Sequence, residues 1–356
     1  MDEISRRRAS DIGYKITDFS AMKLNFASDT ANTTIINAIK KSKASNIVFA
    51  GIAPTNMQLY RKELPNQNII FHLHTMPIWE PIVRMEAGRR VAKDSDSKAK
   101  IIQWCIFKYL REKFFHTFRR RYVALWKTIY DSVDSIILLT NSYAEQLQHI
   151  LKRHATKAVV IYNPFDPSNL RLLSETQKKN EVVYIGRLQC IEKGVDNLLI
   201  AWKLIANSHP DWKLKIVGDG PDAEYLRKMV SLQNIPNVEF CGYSANVGRH
   251  LSTASILCLP SNVEGWPTVL IEAMAAGVIP IAFGCSSGVC EILSDNRGII
   301  VQQGNVKQFA KQLANLISHP ENRQTYSQRY TDYVNSFPVD AAVNTYLKLL
   351  NYEHHA

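Results

Sequence analysis

The chain is 356 residues long, with 46% hydrophobic and 21% charged residues and a formal net charge of +11. That length suits two domains of roughly 150 to 200 residues, and the balance of residues excludes disordered, collagen-like and low-complexity proteins. The charge is uneven: residues 1–165 hold 26 Lys and Arg against 14 Asp and Glu, while residues 166–356 hold 17 against 18, so the first half is expected to face something anionic, such as a membrane surface, a polyphosphate or a nucleic acid.

The opening, MDEISRRRASDIGYK, lacks the apolar stretch of a signal peptide, and no run approaches the 18 or so apolar residues that span a bilayer. A cytoplasmic protein is expected, with peripheral contact at the inner face of the membrane as an option. In the first half, NIVFAG (46–51), NIIFHLHT (68–75) and DSIILLT (134–140) read as strands, with helices at 31–43 and 142–153. Residues 76–130 form an insertion rich in Arg, Lys and aromatic residues. Within it, the stretch 100–130 interleaves Lys108, Arg111, Lys113, Arg119, Arg120, Arg121 and Lys127 with Trp104, Phe107, Phe114, Phe115, Tyr122 and Trp126. Such a pattern suits a helix lying in an anionic membrane interface or, equally, a packed helix with a solvated basic face. It carries no RRM, KH or helix-turn-helix signature, so no nucleic-acid partner is expected. The pair Asp94-Ser95-Asp96 has the spacing of a divalent-cation site, but Lys93, Ser97 and Lys98 place it in a polar segment, and no metal site is expected. The six cysteines include no CxxC pair and read as small buried hydrophobes.

Asn163-Pro164 and Asp166-Pro167, within residues 159–170, mark the domain junction. Beyond it, EVVYIG (181–186), WKLKIVG (212–218), VEFCG (238–242), SILCLP (255–260) and VIPIAFG (278–284) read as buried parallel strands separated by helices. The helix at 195–207 carries Val195, Leu198, Leu199, Trp202 and Ile205 as an apolar stripe; others fall at 222–233 and 267–276, the last with Pro267 as its first residue and Gly277 just past its end. This is a doubly wound α/β domain, whose ligands bind beyond the carboxyl ends of the strands. A last helix, about 339–351, follows Phe337-Pro338.

Three clusters sit at those strand ends. The stretch 260–277, PSNVEGWPTVLIEAMAAG, puts Glu264 in a loop and Glu272 about one and a half turns into the following helix. Backbone N–H groups at Gly265, Trp266 and Thr268 would favour an anion there; the plain alternative is two solvated carboxylates. A strand ending at Gly186 is followed by Arg187, and Lys193-Gly194 opens the next helix, so that a guanidinium fork and a point charge could hold a diphosphate without a metal or form ordinary surface ion pairs. The turn Gly218-Asp219-Gly220-Pro221 admits close approach of a ligand to the backbone. In the first half, His74 lies at the end of the 68–75 strand, where an imidazole would both donate and accept hydrogen bonds; His72 reads as a satisfied structural histidine.

Taken in order, G-R-L…K-G, V-G-D-G-P, V-x-F-x-G and P-S-x-x-E-G-x-P-x-x-x-x-E-A-x-A-x-G resemble the nucleotide-sugar-binding half of glycosyltransferase family 4, over residues 159–352. The resemblance implies the GT-B fold, with two Rossmann-like doubly wound domains facing across a cleft: 1–165 on the acceptor side, 166–337 on the donor side, and 338–356 returning as a helix onto the first domain. It implies that Arg187 and Lys193 neutralise the donor diphosphate, that Glu272 accepts from the ribose hydroxyls, and that Glu264 holds hydroxyls of the transferred sugar. Gly186, Gly218, Gly220, Gly265, Trp266, Pro267 and Thr268 would complete the donor pocket, with His74 reaching across the cleft. No cofactor or metal is implied. Members usually open with a strand and a glycine-rich loop, and nothing in residues 1–30 matches; the first domain is expected to lack its first strand or two. The expected function is a retaining, metal-independent hexosyltransferase that builds a surface polysaccharide from a nucleotide sugar on a glycan or lipid-linked acceptor. Two alternatives share the layout: a non-catalytic nucleotide-sugar binder and a nucleotide-sugar epimerase.

Overall fold

The computed structural model describes residues 29–51, 53–54, 56–80, 82–83, 87, 99, 120–165, 178–321 and 330–350. The opening residues 1–28, the Asp94-Ser95-Asp96 segment, residues 100–119 of the basic-aromatic run and the Asp166-Pro167 break lie outside the described residues.

The first unit runs α1 (Asp29–Ser42), β1 (Asn46–Ala50), α2 (Met57–Glu63), β2 (Asn68–His72), α3 (120–132), β3 (Ser135–Leu138), α4 (Asn141–Leu151) and β4 (Ala158–Val160). Its four described strands form a parallel sheet in the order β1-β2-β3-β4. β1 is at its edge, with Val48 exposed on one face while Ile47 and Phe49 are buried on the other. Helix α3 settles the end of the basic-aromatic run. Trp126 is buried against Phe71, with ring centroids 6.1 Å apart, while Arg120, Arg121, Ala124 and Asp131 are exposed, so this part of the run is a helix packed on the core with a basic solvent-facing start.

The second unit runs β5 (Glu181–Ile185), α5 (Cys190–Lys193), α6 (Val195–Ile205), β6 (Lys213–Val217), α7 (Ala223–Leu232), β7 (Val238–Gly242), α8 (Val247–Thr253), β8 (Ile256–Leu259), α9 (Thr268–Ala275), β9 (Ile279–Phe283), α10 (Ser287–Leu293), β10 (Ile299–Val301) and α11 (Val306–Ser318). The strands are parallel, in the order β10-β9-β8-β5-β6-β7. All four side chains of β8 and all five of β9 are buried, as both faces of a helix-covered sheet require. Pro280 is tolerated in β9 because the β10 ladder starts only at Ile281, so its missing N–H is not needed there. The chain lays β5, β6 and β7 outward on one side and then crosses back to place β8 on the other side of β5. The point between β5 and β8 is therefore the topological switch, and the crevice opens beyond their carboxyl ends.

The chain passes to the second unit near Phe165 and returns near Phe337, and the two crossings are joined where Phe165 N–H donates to the Phe337 carbonyl at 2.9 Å. After α12 (Tyr330–Val334), helix α13 (Val339–Leu349) lies on the first sheet. Ala342, Tyr346 and Leu349, spaced to share one helix face, pack on Ile70, Ile137 and Ile161, and Asn68 Nδ2 donates to the Leu349 carbonyl at 2.9 Å.

Candidate active site at the switch point

The loops after β5 and β8 meet at the switch point. In the first, α5 is a single turn whose leading N–H, that of Cys190, is capped by Asp222 Oδ2 at 2.7 Å. Gly194 ends it in the left-handed region at φ +58°, and a Cβ there would stand 2.2 Å from the Pro260 carbonyl oxygen, so only glycine lets the two loops touch. Asn262 and Val263 N–H donate to the Glu192 carbonyl at 2.7 and 3.2 Å, and Asn262 Nδ2 to that of Ile191 at 2.9 Å.

This stitching aligns Lys193 with Glu264. Lys193 Nζ lies 2.8 Å from Glu264 Oε1, and Ser261 Oγ donates to the same oxygen at 2.6 Å; the Glu264 carboxylate is buried while the lysine is about a quarter exposed. The sequence reading treats the two as separate contacts, one to phosphate and one to sugar. In the structure they form one ion pair, and an incoming phosphate must share the ammonium with Glu264. Arg187 is exposed, and its guanidinium makes no hydrogen bond or ion pair among the described residues; it is the more available cation.

The glycines of the neighbouring turns meet a nearer demand than a ligand. A Cβ on Gly218 would lie 1.9 Å from the Gly186 carbonyl oxygen, and one on Gly220 2.5 Å from that of Leu188. The β5 and β6 loops therefore pack backbone to backbone, tied by Leu188 N–H to the Asp219 carbonyl at 2.9 Å. Helix α9 begins at Thr268, one residue later than expected: Pro267 is its N-cap, with ψ 99° outside the helical range, and no side chain caps that end. Glu272 is half-buried inside α9; burial pushes its carboxyl above the usual range, and a hydrogen bond from Thr268 pulls the other way. Trp266 is an anchor. Its indole is buried between Tyr162 and Phe337, at centroid distances of 5.0 and 5.3 Å, against the two crossings.

From the first unit, the backbone at His74 closes on the loop: a Cβ on Gly265 would sit 2.3 Å from the His74 carbonyl oxygen. β2 itself ends at His72, and His74 stands exposed two residues beyond. The rings of His72 and His74 lie 4.2 Å apart. His72 is buried, with Nδ1 bonded to the Tyr346 hydroxyl and Nε2 without a partner among the described residues. Burial, with His74 adding to it, holds the His72 pKa down to about 3. An unfolded histidine titrates near ~6.5, so below that pH the unfolded chain binds a proton that the folded chain refuses, and stability falls as pH falls. The expected loss from this group between pH 7.5 and pH 5 is about 2 kcal/mol. Denaturant unfolding at pH 7.5 and pH 5.0 checks it: His72→Gln should lose less stability than wild type over that interval, and equal losses would show that another group dominates.

Sequence reasoning missed Ser261, Tyr346 and Tyr143. Tyr143, in the first turn of α4, is fully buried; its hydroxyl donates to the Gly265 carbonyl at 2.7 Å, lies 3.3 Å from that of Glu264, and accepts from Gly288 N–H at 3.3 Å. Among the described residues no group of His, Cys, Asp and Glu is placed to hold a metal, and no helix is long and apolar enough to cross a membrane.

Two parallel α/β units meeting over the switch point of the second define a GT-B fold. Anabaena HepE, crystallised with UDP and glucose, has this architecture and superposes with a TM-score of 0.68 at 15% identity, covering 99% of this chain and 90% of that one. Residues 169–332 match the family model of the glycosyl transferases group 1. An uncharacterized glycosyltransferase of Haemophilus influenzae is 35% identical over 190 residues, 53% of each chain. An α-1,4-N-acetyl-D-galactosaminyltransferase of Campylobacter jejuni, acting on a GalNAc-GalNAc-diNAcBac-PP-undecaprenol, is 28% identical over 244 residues, 68% of this chain and 65% of that enzyme. The chain spans about half the length of the curated relatives it matches.

Proposed function

We propose that this protein is a retaining glycosyltransferase of family 4, of the hexosyltransferase type, which moves a sugar from a nucleoside diphosphate to a glycan or lipid-linked acceptor in surface polysaccharide synthesis. The observation that carries the reading is the Lys193–Glu264 pair at the switch point, with Arg187 exposed on the same β5 loop. Breaking a sugar–phosphate bond places negative charge on the leaving diphosphate, and fixed cations stabilise that charge. Arg187 takes the phosphate oxygens through its fork, and Lys193 adds its charge while still held by Glu264. Glu272 accepts from the ribose hydroxyls, and Glu264, whose two short bonds both fall on Oε1, accepts a sugar hydroxyl on Oε2. The departing diphosphate removes the acceptor's proton on the same face as the new bond forms, so no separate protein base is required. HepE's complex with UDP and the undecaprenol-linked substrate in the Campylobacter enzyme's name support the donor and acceptor classes.

A thermal-shift panel of UDP-, GDP- and ADP-sugars, followed by an assay of nucleoside diphosphate release with lipid-linked glycan acceptors, tests the reading. One base series should stabilise the protein, its sugar should be transferred with retention, and transfer should persist in excess EDTA. Activity lost in EDTA and restored by manganese would assign charge neutralisation to a metal. Stabilisation by a nucleotide sugar without turnover would leave a binder.

A further inference from the structure

We propose that Tyr143 is the positioning residue through which the first unit sets the backbone of the Glu264–Gly265 loop, so that Glu264 is correctly presented only while the two units are docked. The consequence for turnover rests on the glycosyl-transfer reading; the consequence for the loop does not.

The donor loop has two kinds of attachment. Its side-chain bonds stay within the second unit: Glu264 is gripped by Lys193 and Ser261. Its backbone is also held from the first unit, by Tyr143. A phenol has one proton to donate, and the geometry gives it to the Gly265 carbonyl at 2.7 Å, with the Glu264 carbonyl at 3.3 Å as a weaker second acceptor. Gly288, at the start of α10, donates its N–H back to the same hydroxyl at 3.3 Å. There is no slack at this junction. A Cβ on Gly288 would lie 2.1 Å from the Gly265 carbonyl oxygen and 2.9 Å from the Tyr143 hydroxyl.

The tyrosine starts from a fixed point. Thr140 Oγ1 accepts the Tyr143 N–H at 3.0 Å and caps α4, and the ring is fully buried. The same end of α4 is docked on α10 by a separate contact, in which Ser142 Oγ and the Tyr162 hydroxyl donate to the Glu291 carboxylate at 3.3 and 2.9 Å. Docking is thus shared by several groups, whereas the hydroxyl of Tyr143 reaches the two successive carbonyls of Glu264 and Gly265. Loss of that hydroxyl leaves two carbonyls and one N–H to rearrange in a buried junction, and a shift of about 1 Å in a catalytic group costs up to 10²-fold in rate.

Tyr143→Phe keeps the ring and removes only the hydroxyl. Amide hydrogen exchange over residues 261–268 should accelerate about 10-fold or more, because local opening no longer breaks those bonds. UDP affinity should stay within about twofold, while kcat falls about 10-fold or more without a matching rise in donor KM. Exchange at the wild-type rate would overturn the proposal whatever the turnover. Faster exchange with unchanged kcat in an active enzyme would reduce Tyr143 to a structural contact and overturn the positioning role. If wild type transfers no sugar, the glycosyl-transfer reading fails on its own, and the exchange measurement still decides whether Tyr143 holds the loop.

Discussion

Glu264→Ala is expected to lower kcat for sugar transfer by about 10²-fold or more while leaving nucleoside diphosphate affinity unchanged or improved. The reason is the ion pair. Lys193 Nζ is 2.8 Å from Glu264 Oε1, so the carboxylate competes with any phosphate for that ammonium. Alanine removes the competitor and the sugar contact together. It also leaves Ser261, buried and donating to the same oxygen, without its acceptor, for which about 1–3 kcal/mol of stability should be lost. Glu272→Ala should behave in the opposite way, weakening donor and free nucleoside diphosphate alike, since ribose is common to both. Calorimetric titration of both ligands into both variants, with kcat measured alongside, separates the roles. If Glu264→Ala binds nucleoside diphosphate as poorly as Glu272→Ala does, the division between sugar and ribose contacts is wrong. Glu264→Gln refines the test: it keeps the volume and an acceptor for Ser261 but no charge for Lys193, so it should restore stability without restoring turnover.

How much of this was legible in the sequence depends on whether a residue's partner is near it in the chain or carries a distinctive chemistry. The runs at 181–186, 255–260 and 278–284 are strands because their side chains are buried on both faces, and an unbroken apolar run between turn residues signals that directly. β4 and β10, three residues each and only partly buried, carry no strand signal in the sequence, since so short a run has no period to read. Helix α11 is a different case: Phe309, Leu313, Leu316 and Ile317 lie at helical spacing and are buried, a periodicity that the sequence reading does not use. The charges at 187, 193, 264 and 272 were legible as site candidates, because cations and carboxylates after strand ends are conspicuous. The ion pair of Lys193 with Glu264 was not, because it spans 71 residues and forms only where β8 returns beside β5. Tyr143 left no trace at all. Its partners are backbone groups, which every residue possesses, and an aromatic three residues into a helix reads as ordinary core. Gly218 and Gly220 read from the sequence as ligand-facing, and the structure adds a demand the sequence does not show: loop-to-loop packing itself requires glycine at both.

Gly265→Ala should be strongly damaging, because its methyl group acts where the two units meet. Its Cβ would stand 2.3 Å from the carbonyl oxygen of His74 and 2.9 Å from the Cα of Thr75, both backbone atoms that no rotamer change can clear, against the 3.4 Å of ordinary contact. The loop and the end of β2 must therefore separate by about 1 Å. That displacement acts on three things at once: the position of His74 against the loop, the Tyr143 bond to the Gly265 carbonyl, and the packing of Trp266 against the crossings. Overpacking of this kind costs about 1–3 kcal/mol, and misplacement of catalytic groups by that distance costs about 10²-fold in rate, so kcat should fall by about that factor with nucleoside diphosphate binding retained through Arg187 and Glu272. Gly304→Ala is the control. Unlike Gly265, Gly304 has positive φ, at +74°, but a Cβ there meets nothing within 4 Å, so the substitution should lower the melting temperature through backbone strain alone and leave kcat unchanged. Equal kcat values for Gly265→Ala and Gly304→Ala would mean that the close approach of His74 to the loop has no part in turnover, and that the two units can separate at this point without cost to the reaction.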